Sequence, residues 1–462
     1  MKTFDRSIVD GPLQRAVWKI AWPTMLQNII GGLQGVVDHA MVGHFVGHAG
    51  NAAIGVSIQI WILVIVFISS VFTGMGVLVA RFAGAGNAEA VNRTVYQAFL
   101  TAILMAVVVM APVGYFAAPY LLDMVHAAPE VQHVALPFLR IMLVGSIGML
   151  MFFMASGALR SAGDARTPMR LGIMLTALNI VFNVCLIGGV GPLPALGVKG
   201  SAIGTVLASG LTGLVFLWML FTDRLVVKFT RNMSFAPDWK VIKELFRFGL
   251  PAGVQGIAMN VAGVLMVRFI GSLPESGEAQ AAYAVGYTEL FSMITWTSVG
   301  LMGAAAAVAG QNLGANQPER AAASAWAAAK IGLCLATAIG LLFLFFPGTL
   351  LSAFSLNDGV AGVLGRQLLS YLAVSGLFVT VALAFTGALQ GTGDTRSPLV
   401  ISIVSQVAVP IGFCTFFSMT TGLTSGHIWL AIVLGHATRA TLSVLRFRQG
   451  KWRAIQVHAP SH

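Results

Sequence analysis

The chain has 462 residues, of which 57% are hydrophobic and 9% are charged, and its formal net charge is +11. A soluble domain carries about 25% charged residues and a disordered chain is polar, so a mean hydropathy of +0.85 excludes both classes. Apolar runs of about twenty residues also argue against a membrane β-barrel, whose strands alternate over about ten residues. The composition therefore predicts an all-α polytopic membrane protein.

Membrane-spanning helices need about twenty mostly apolar residues. Twelve segments meet this requirement, at about 17–43, 52–80, 94–118, 133–158, 168–189, 198–222, 243–270, 280–309, 322–346, 362–389, 398–420 and 427–446. With the N-terminus in the cytoplasm, 23 of the 27 Lys and Arg residues fall on the cytoplasmic side, as the positive-inside rule requires. Both termini are therefore predicted to be cytoplasmic. The basic excess is explained by topology and contact with lipid, without a nucleic-acid partner.

The first span contains one of two acids that lie within apolar runs, Asp38. A carboxyl group inside a membrane is costly and indicates a functional site by default. Burial favours its protonated form, so Asp38 could hold H⁺, while a shell of neutral oxygens would let it hold Na⁺. The alternative is an interfacial acid that is hydrated or paired with His39. Gln34 lies one turn before Asp38 and is predicted to belong to the same site.

Polar residues of spans five and six could complete that site. Asn179 and Asn183 are four residues apart and so share one helix face. Buried amides need partners, which a carboxylate on a facing helix would supply. Thr205 in span six could add a hydroxyl group. The alternative for the two asparagines is a hydrogen-bonding role between helices.

The chain repeats itself at a spacing of about 230 residues. Seven of twelve positions are identical between 157–168 and 387–398, and both segments contain a Gly-Asp-x-Arg-x-Pro loop. The sequence therefore predicts two pseudo-symmetric six-helix lobes: residues 1–222, a cytoplasmic linker at 223–243, and residues 244–462. Repeats of this kind are a transporter architecture, with the substrate path expected between the lobes. The loops themselves are predicted to form a turn with a local Asp–Arg ion pair at the cytoplasmic face, and the alternative is a role in gating.

The second half contains the other acid within an apolar run, Glu289, in the eighth span. Glu289 is predicted to bind a cation or a cationic substrate, together with Tyr287 and with Asn260 of span seven. The alternative is a side chain that extends to the interface or pairs with Arg268.

Taken in order along almost the whole chain, these features resemble the multidrug and toxic compound extrusion (MATE) transporters, bacterial type. The resemblance is carried by Pro23 and Asp38, the Ala-Gly-Ala-Gly run at 83–86, the duplicated Gly-Asp-x-Arg loops, and Asn179 with Asn183. It implies that Asp38 and the span-five pair bind the coupling cation, and that span one bends at Pro23 during transport. A first-turn position would instead make Pro23 a helix starter. Some similar transporters have a second aspartate where this chain has Asn183, and many have an acid in span seven that is missing here.

The expected function is secondary antiport that exports organic cations or amphiphilic drugs in exchange for H⁺ or Na⁺ by alternating access of two lobes. The chain has no GxxxxGK[ST] motif for nucleotide, so an ion gradient must supply the energy. We expect no cofactor, no metal other than a possible Na⁺ at Asp38, and no enzymatic activity. A monomer in the bacterial cytoplasmic membrane is expected. The alternative, a flippase for a lipid-linked precursor, predicts a cationic cleft, and arginines inside spans are scarce.

Overall fold

The computed structural model describes residues 4–125, 129–189, 194–222, 224–229, 236–356 and 358–458, apart from the side chains of residues 48, 49, 51 and 52. Part of the predicted linker at 223–243 therefore lies outside the described residues. A helix coincides with each of the predicted spans. In chain order these helices are α1 Leu13–Phe45, α2 Ala53–Gly84, α3 Ala88–Met124, α4 Pro129–Val144 with Ile147–Ser161, α5 Arg166–Ile187, α6 Val198–Phe221, α7 Trp239–Gly271, α8 Ser276–Gly314, α9 Pro318–Phe345, α10 Gly359–Thr392, α11 Arg396–Met419 and α12 Ser425–Arg448.

Most of these helices are long and apolar enough to cross a membrane. Ten of the described helices meet that standard singly, and α4, whose two parts are bent by 50°, makes eleven if the parts are counted as one span. The helix outside this count is α1, which has 33 residues and contains Arg15, Lys19 and Asp38. The prediction of an all-helical polytopic membrane protein is confirmed. Helices suit this environment because each satisfies its own backbone hydrogen bonds within the lipid.

The chain forms two compact units that divide α1 and α7 between them. One unit contains residues 26–253, and the other contains residues 6–25 and 254–456. Both divisions fall two residues after a proline, Pro23 in α1 and Pro251 in α7. Pro23 lies ten residues after the start of its helix, so it is an interior proline and not a first-turn residue. An interior proline removes one backbone hydrogen bond and weakens the helix locally.

The core of the first unit includes an apolar cluster next to the position of Asp38. Val42 of α1, Ile54 of α2, Phe138 of α4, Ile187 of α5 and Ala202 of α6 are all buried in it. Val42 and Ile187 each lie one turn beyond a predicted site residue, Asp38 and Asn183 respectively. The cluster therefore fixes the ends of α1 and α5 side by side. It also supplies the low-dielectric surroundings in which polar groups must find partners.

The two Gly-Asp-x-Arg loops form the same turn, and the second loop also forms an ion pair with α12. Asp164 accepts hydrogen bonds from the backbone N (3.0 Å) and the Oγ1 (2.6 Å) of Thr167, and Asp394 accepts the corresponding pair from Ser397 at 3.1 and 2.9 Å. Asp394 also pairs with Arg446 of α12 at 2.9 Å. The predicted turn is therefore present in both loops. The ion pair of the second loop links it to α12, not to the neighbouring arginine within the loop as predicted.

Candidate functional site

Asp38 is hydrogen-bonded to the fifth helix within the first unit. The Nδ2 atom of Asn183 donates to Oδ1 of Asp38 at 2.7 Å. Asn183 is fully buried, and the side chain of Asp38 is partly buried. A hydrogen bond from an amide to a carboxylate is charge-assisted, and it is among the stronger contacts available to either group. The structure thus brings together the acid and the later residue of the span-five pair.

The chain of hydrogen bonds continues from Asn183 to the sixth helix. Asn183 Nδ2 also donates to Oδ1 of Asn179 at 3.3 Å, and Asn179 Nδ2 donates to Oγ1 of Thr205 at 2.9 Å. The Thr205 hydroxyl in turn donates to the backbone O of Ser201 at 3.0 Å. The series begins at the Asp38 carboxyl group and ends on this backbone carbonyl. The three helices α1, α5 and α6 are therefore joined by one polar network.

Gln34 lies on the same face of α1 but belongs to a separate contact. Its Oε1 atom accepts a hydrogen bond from Oγ1 of Thr176 at 2.9 Å. Thr176 is one turn before Asn179, so this contact joins α1 to α5 one turn below Asp38. Gln34 does not bond directly to Asp38 among the described contacts. It positions the helix that carries the acid.

A glycine on α6 makes the close approach of the fifth helix possible. A Cβ atom at Gly204 would lie 2.3 Å from Oδ1 of Asn183. A second glycine one turn earlier, Gly200, has its missing Cβ 2.3 Å from the backbone O of Leu186. Small residues at helix interfaces let backbones approach closely in membranes. Here they place the Asn183 amide against the α6 backbone and leave no space for a side chain in between.

The network contains several side-chain oxygen atoms. Asp38 supplies a carboxyl group, and Oδ1 of Asn183 is buried without a hydrogen-bond partner. Oδ1 of Asn179 and Oγ1 of Thr205 are the other side-chain oxygens in the series. Hard cations prefer carboxylate and carbonyl oxygens, and a proton needs only the carboxyl group. The chemistry of these groups is therefore compatible with either kind of ion.

The second half does not repeat this site. At the 228-residue spacing that relates Pro23 to Pro251, the counterpart of Asp38 is Met266, which is buried in an apolar cluster with Ile270 and Leu290. The repeat therefore preserves the helices but not the carboxyl group. Any cation bound by Asp38 is bound in the first unit alone.

The predicted substrate residues of the second unit are not gathered into one contact. Glu289 and Tyr287 lie in a π-helical segment of α8, Ala284–Leu290, and the Glu289 side chain is exposed. No ion pair joins Glu289 to Arg268 in the part of the chain that the structure describes. Asn260 donates its Nδ2 to the backbone O of Gly256 at 2.9 Å, within its own helix. Tyr287 instead stacks on Tyr283, with ring centroids 4.9 Å apart.

One charged residue that the sequence does not single out is buried. Arg439 lies inside α12 nine residues before its end and is 5% exposed. Its neighbour on the preceding turn, His436, is 3% exposed. Hydropathy does not distinguish such an arginine from the basic flank at a cytoplasmic helix end. Only the three-residue spacing of His436 and Arg439, which puts both on one helix face, could have signalled a buried cluster.

The helices have the length and apolarity of membrane spans, they are duplicated in two halves, and the first half contains a polar network. These features together define a membrane transporter. The chain belongs to the MatE family, whose model matches residues 23–185 and 251–416. Members of this family are transporters and not enzymes. The two matched segments begin at Pro23 and Pro251, the positions that the internal repeat relates.

Individual relatives cover almost the full chain. A probable multidrug resistance protein NorM of Thermotoga maritima is 26% identical over 446 residues, which is 95% of this chain and 93% of the relative. A transporter of the MOP superfamily from Pyrococcus furiosus has a solved structure with a TM-score of 0.88 and 22% identity, covering 97% of this chain and 98% of its own. The solved structure of an outward-facing multidrug resistance MATE family transporter has a TM-score of 0.86 and 21% identity, and it covers 97% of this chain and 98% of its own. These structures establish the fold.

Proposed function

We propose that this transporter is an antiporter that exports organic cations or amphiphilic drugs in exchange for a small cation bound at Asp38. The observation that carries the proposal is the network that runs from the partly buried Asp38 through the buried Asn183 and Asn179 to Thr205. A carboxyl group inside a membrane protein is costly and by default indicates a functional site. The names of relatives such as the multidrug resistance protein of Thermotoga maritima support a drug substrate.

The coupling ion is H⁺ or Na⁺. A proton requires only the Asp38 carboxyl group, whereas Na⁺ also requires neutral oxygens such as Oδ1 of Asn183, which has no hydrogen-bond partner. Either ion driven inward supplies about 2.3 kcal/mol per charge for each 100 mV of membrane potential, in addition to its concentration gradient. Loss of the bound cation leaves the buried carboxylate charged. That change in charge is what could favour one conformation over another.

The proline in α1 is the proposed bending point. Pro23 lies inside the helix, and two residues later the helix passes from one compact unit to the other. Asp38 is fifteen residues further along the same helix, about 22 Å at 1.5 Å per residue. A bend at Pro23 would therefore move a helix that carries the cation ligand. We also propose a monomer in the bacterial cytoplasmic membrane with both termini in the cytoplasm, on the distribution of Lys and Arg.

The test is efflux of a fluorescent organic cation from vesicles containing the purified protein, with a pH gradient and a Na⁺ gradient imposed separately. Asp38→Asn keeps the size of the side chain and removes its charge. We expect ion-driven efflux to fall to the level of protein-free vesicles under whichever gradient drives the wild type. The matched control is Asp123→Asn, which changes an exposed acid in the same unit and should leave efflux unchanged.

Two outcomes of that experiment decide the matter. Efflux by Asp38→Asn at the wild-type rate would remove the acid from the mechanism. Loss of efflux together with a large fall in the thermal unfolding temperature would assign Asp38 to folding. The proposal requires loss of efflux with an unfolding temperature close to that of Asp123→Asn.

An endogenous amphiphile is a second candidate substrate class, and a specific observation favours it. The scarcity of arginines inside the predicted spans argues against a flippase for a lipid-linked precursor. Arg439 is nevertheless buried inside α12. A positive charge in that position suits a substrate that carries a negative group.

A further inference from the structure

The second unit contains a permanently charged side chain that is buried within a helix long and apolar enough to cross a membrane. Arg439 is 5% exposed and lies about 14 Å along the helix axis from the end of α12. A guanidinium group stays protonated in proteins. Removing such a charge from water costs several kcal/mol unless a partner compensates for it. Arg439 therefore needs a compensating partner.

Arg439 has no carboxylate partner among the described residues. Asp394 and Glu319, two acids of the same unit, form ion pairs with Arg446 and Arg453 at 2.9 and 2.8 Å. The Nε atom of Arg439 is buried without a hydrogen-bond acceptor. A buried arginine normally directs its fork of donors to a carboxylate or a phosphate. The guanidinium donor of Arg439 is therefore present in this unit, but the described residues supply no carboxylate oxygens to accept from it.

The groups around Arg439 add no negative charge. Ser443, one turn further on the same face of α12, is fully buried, and its Oγ has no partner. The Tyr287 hydroxyl and the His436 ring lie close enough to Arg439 to interact with it electrostatically. His436 Nδ1 is already engaged with Oγ of Ser375 at 2.5 Å. The cluster is thus positively charged, and the described residues give it no carboxylate of its own.

Aromatic rings form the apolar wall of this cluster. His436 stacks on Phe291 at 5.9 Å, and Phe291 stacks on Tyr287 at 5.4 Å between ring centroids. The column continues through Tyr283 to Trp429, both with nearly parallel ring planes. Such a wall excludes water and strengthens the electrostatic attraction between a guanidinium group and an anion. It also suits an organic anion better than a fully hydrated inorganic one.

We propose that Arg439, with Ser443, binds the carboxylate of an amphiphilic or aromatic anion as part of the substrate site of the second unit. The inference rests on the second substrate class proposed above, an endogenous amphiphile, and it assigns a carboxylate to that class. Guanidinium and carboxylate are planar and match each other with two parallel hydrogen bonds. Tyr287, which is predicted from the sequence to contact substrate, would lie beside the bound carboxylate.

The test measures binding without any ion gradient. The thermal unfolding temperature of the purified full-length protein is recorded at constant ionic strength with benzoate, with the neutral isostere benzamide and with inorganic phosphate. We expect benzoate to raise the unfolding temperature and benzamide to have no effect. A response to phosphate as large as the response to benzoate would overturn the assignment to an organic carboxylate.

Variants locate the effect. Arg439→Gln should abolish the benzoate response, while Arg268→Gln, which changes an exposed arginine of the same unit, should retain it. If Arg439→Gln does not fold, Ser443→Ala keeps the charge and removes one donor, and it should weaken benzoate binding about tenfold. An unchanged benzoate response in either Arg439→Gln or Ser443→Ala refutes the proposal, as does the absence of any benzoate response in the wild type.

This experiment is independent of ion coupling. Benzoate binding by Asp38→Asn should equal that of the wild type, because Asp38 lies in the first unit and Arg439 in the second. Failure of the benzoate test would leave the efflux result with Asp38→Asn intact. Failure of the efflux test would leave the anion site intact.

Discussion

Gly204→Ala tests the cation site without removing any polar group from it. The added Cβ atom would lie 2.3 Å from Oδ1 of Asn183, so the two groups must separate by about 1 Å to reach ordinary contact. The hydrogen bond from Asn183 to Asp38 is 2.7 Å long, and such a displacement takes it beyond the normal range. The substitution should therefore disconnect the acid from its amide partner.

The expected magnitudes follow from that geometry. A hydrogen bond to a charged group contributes about 1.5–3 kcal/mol and stabilises the charged form of Asp38. Its loss should therefore change the affinity for the coupling cation about 10- to 100-fold, with an increase if that cation is H⁺. Overpacking a tight contact costs about 1–3 kcal/mol, part of which is offset by the better helix propensity of alanine. We expect the free energy of unfolding to decrease by about 1–2 kcal/mol. The apparent affinity for the ion is measured from the dependence of efflux rate on the imposed ion concentration.

Gly210→Ala, on the same helix, is the matched control. A Cβ atom at Gly210 would have no neighbouring atom within 4 Å. Its ion affinity should equal that of the wild type, and its stability should be equal or slightly higher. If Gly204→Ala kept the wild-type ion affinity, the bond between Asn183 and Asp38 would have no part in cation binding. Equal changes of ion affinity in both glycine variants would show that the helix as a whole, and not the contact, responds to substitution.

Two further substitutions probe the neighbours of this contact. Thr205→Val leaves Nδ2 of Asn179 without its acceptor and should lower the free energy of unfolding by about 1–3 kcal/mol in a thermal or denaturant titration. If Na⁺ is the coupling ion, Thr205→Val should also bind Na⁺ more weakly. If efflux driven by a proton gradient is unchanged in this variant, the ion site consists of the carboxyl group alone. Pro23→Ala restores one backbone hydrogen bond in α1 and should slow turnover with little change in the affinity for a labelled cation. A wild-type turnover rate in Pro23→Ala would argue against bending at this position.

The sequence determined the helices of this protein and the residues of its first polar network. Apolar runs of span length have one stable backbone solution in lipid, so hydropathy alone located the helices. Asp38, Asn179, Asn183 and Thr205 could be selected because polar groups in such runs are few and must satisfy one another. The four-residue spacing of the two asparagines is enough to place both on one helix face.

Tertiary structure decided which polar groups meet. Gln34 pairs with Thr176 and not with Asp38, because the side-chain contacts of neighbouring helices depend on their relative rotation and approach. The Asn260 side chain donates its hydrogen bond to the backbone of its own helix. No pattern in the sequence distinguishes such a residue from one that contacts substrate. Arg439 looked like part of a basic helix end and is instead enclosed by neighbouring helices. Burial of a charge depends on the helices that pack around it, and those neighbours are distant in the sequence.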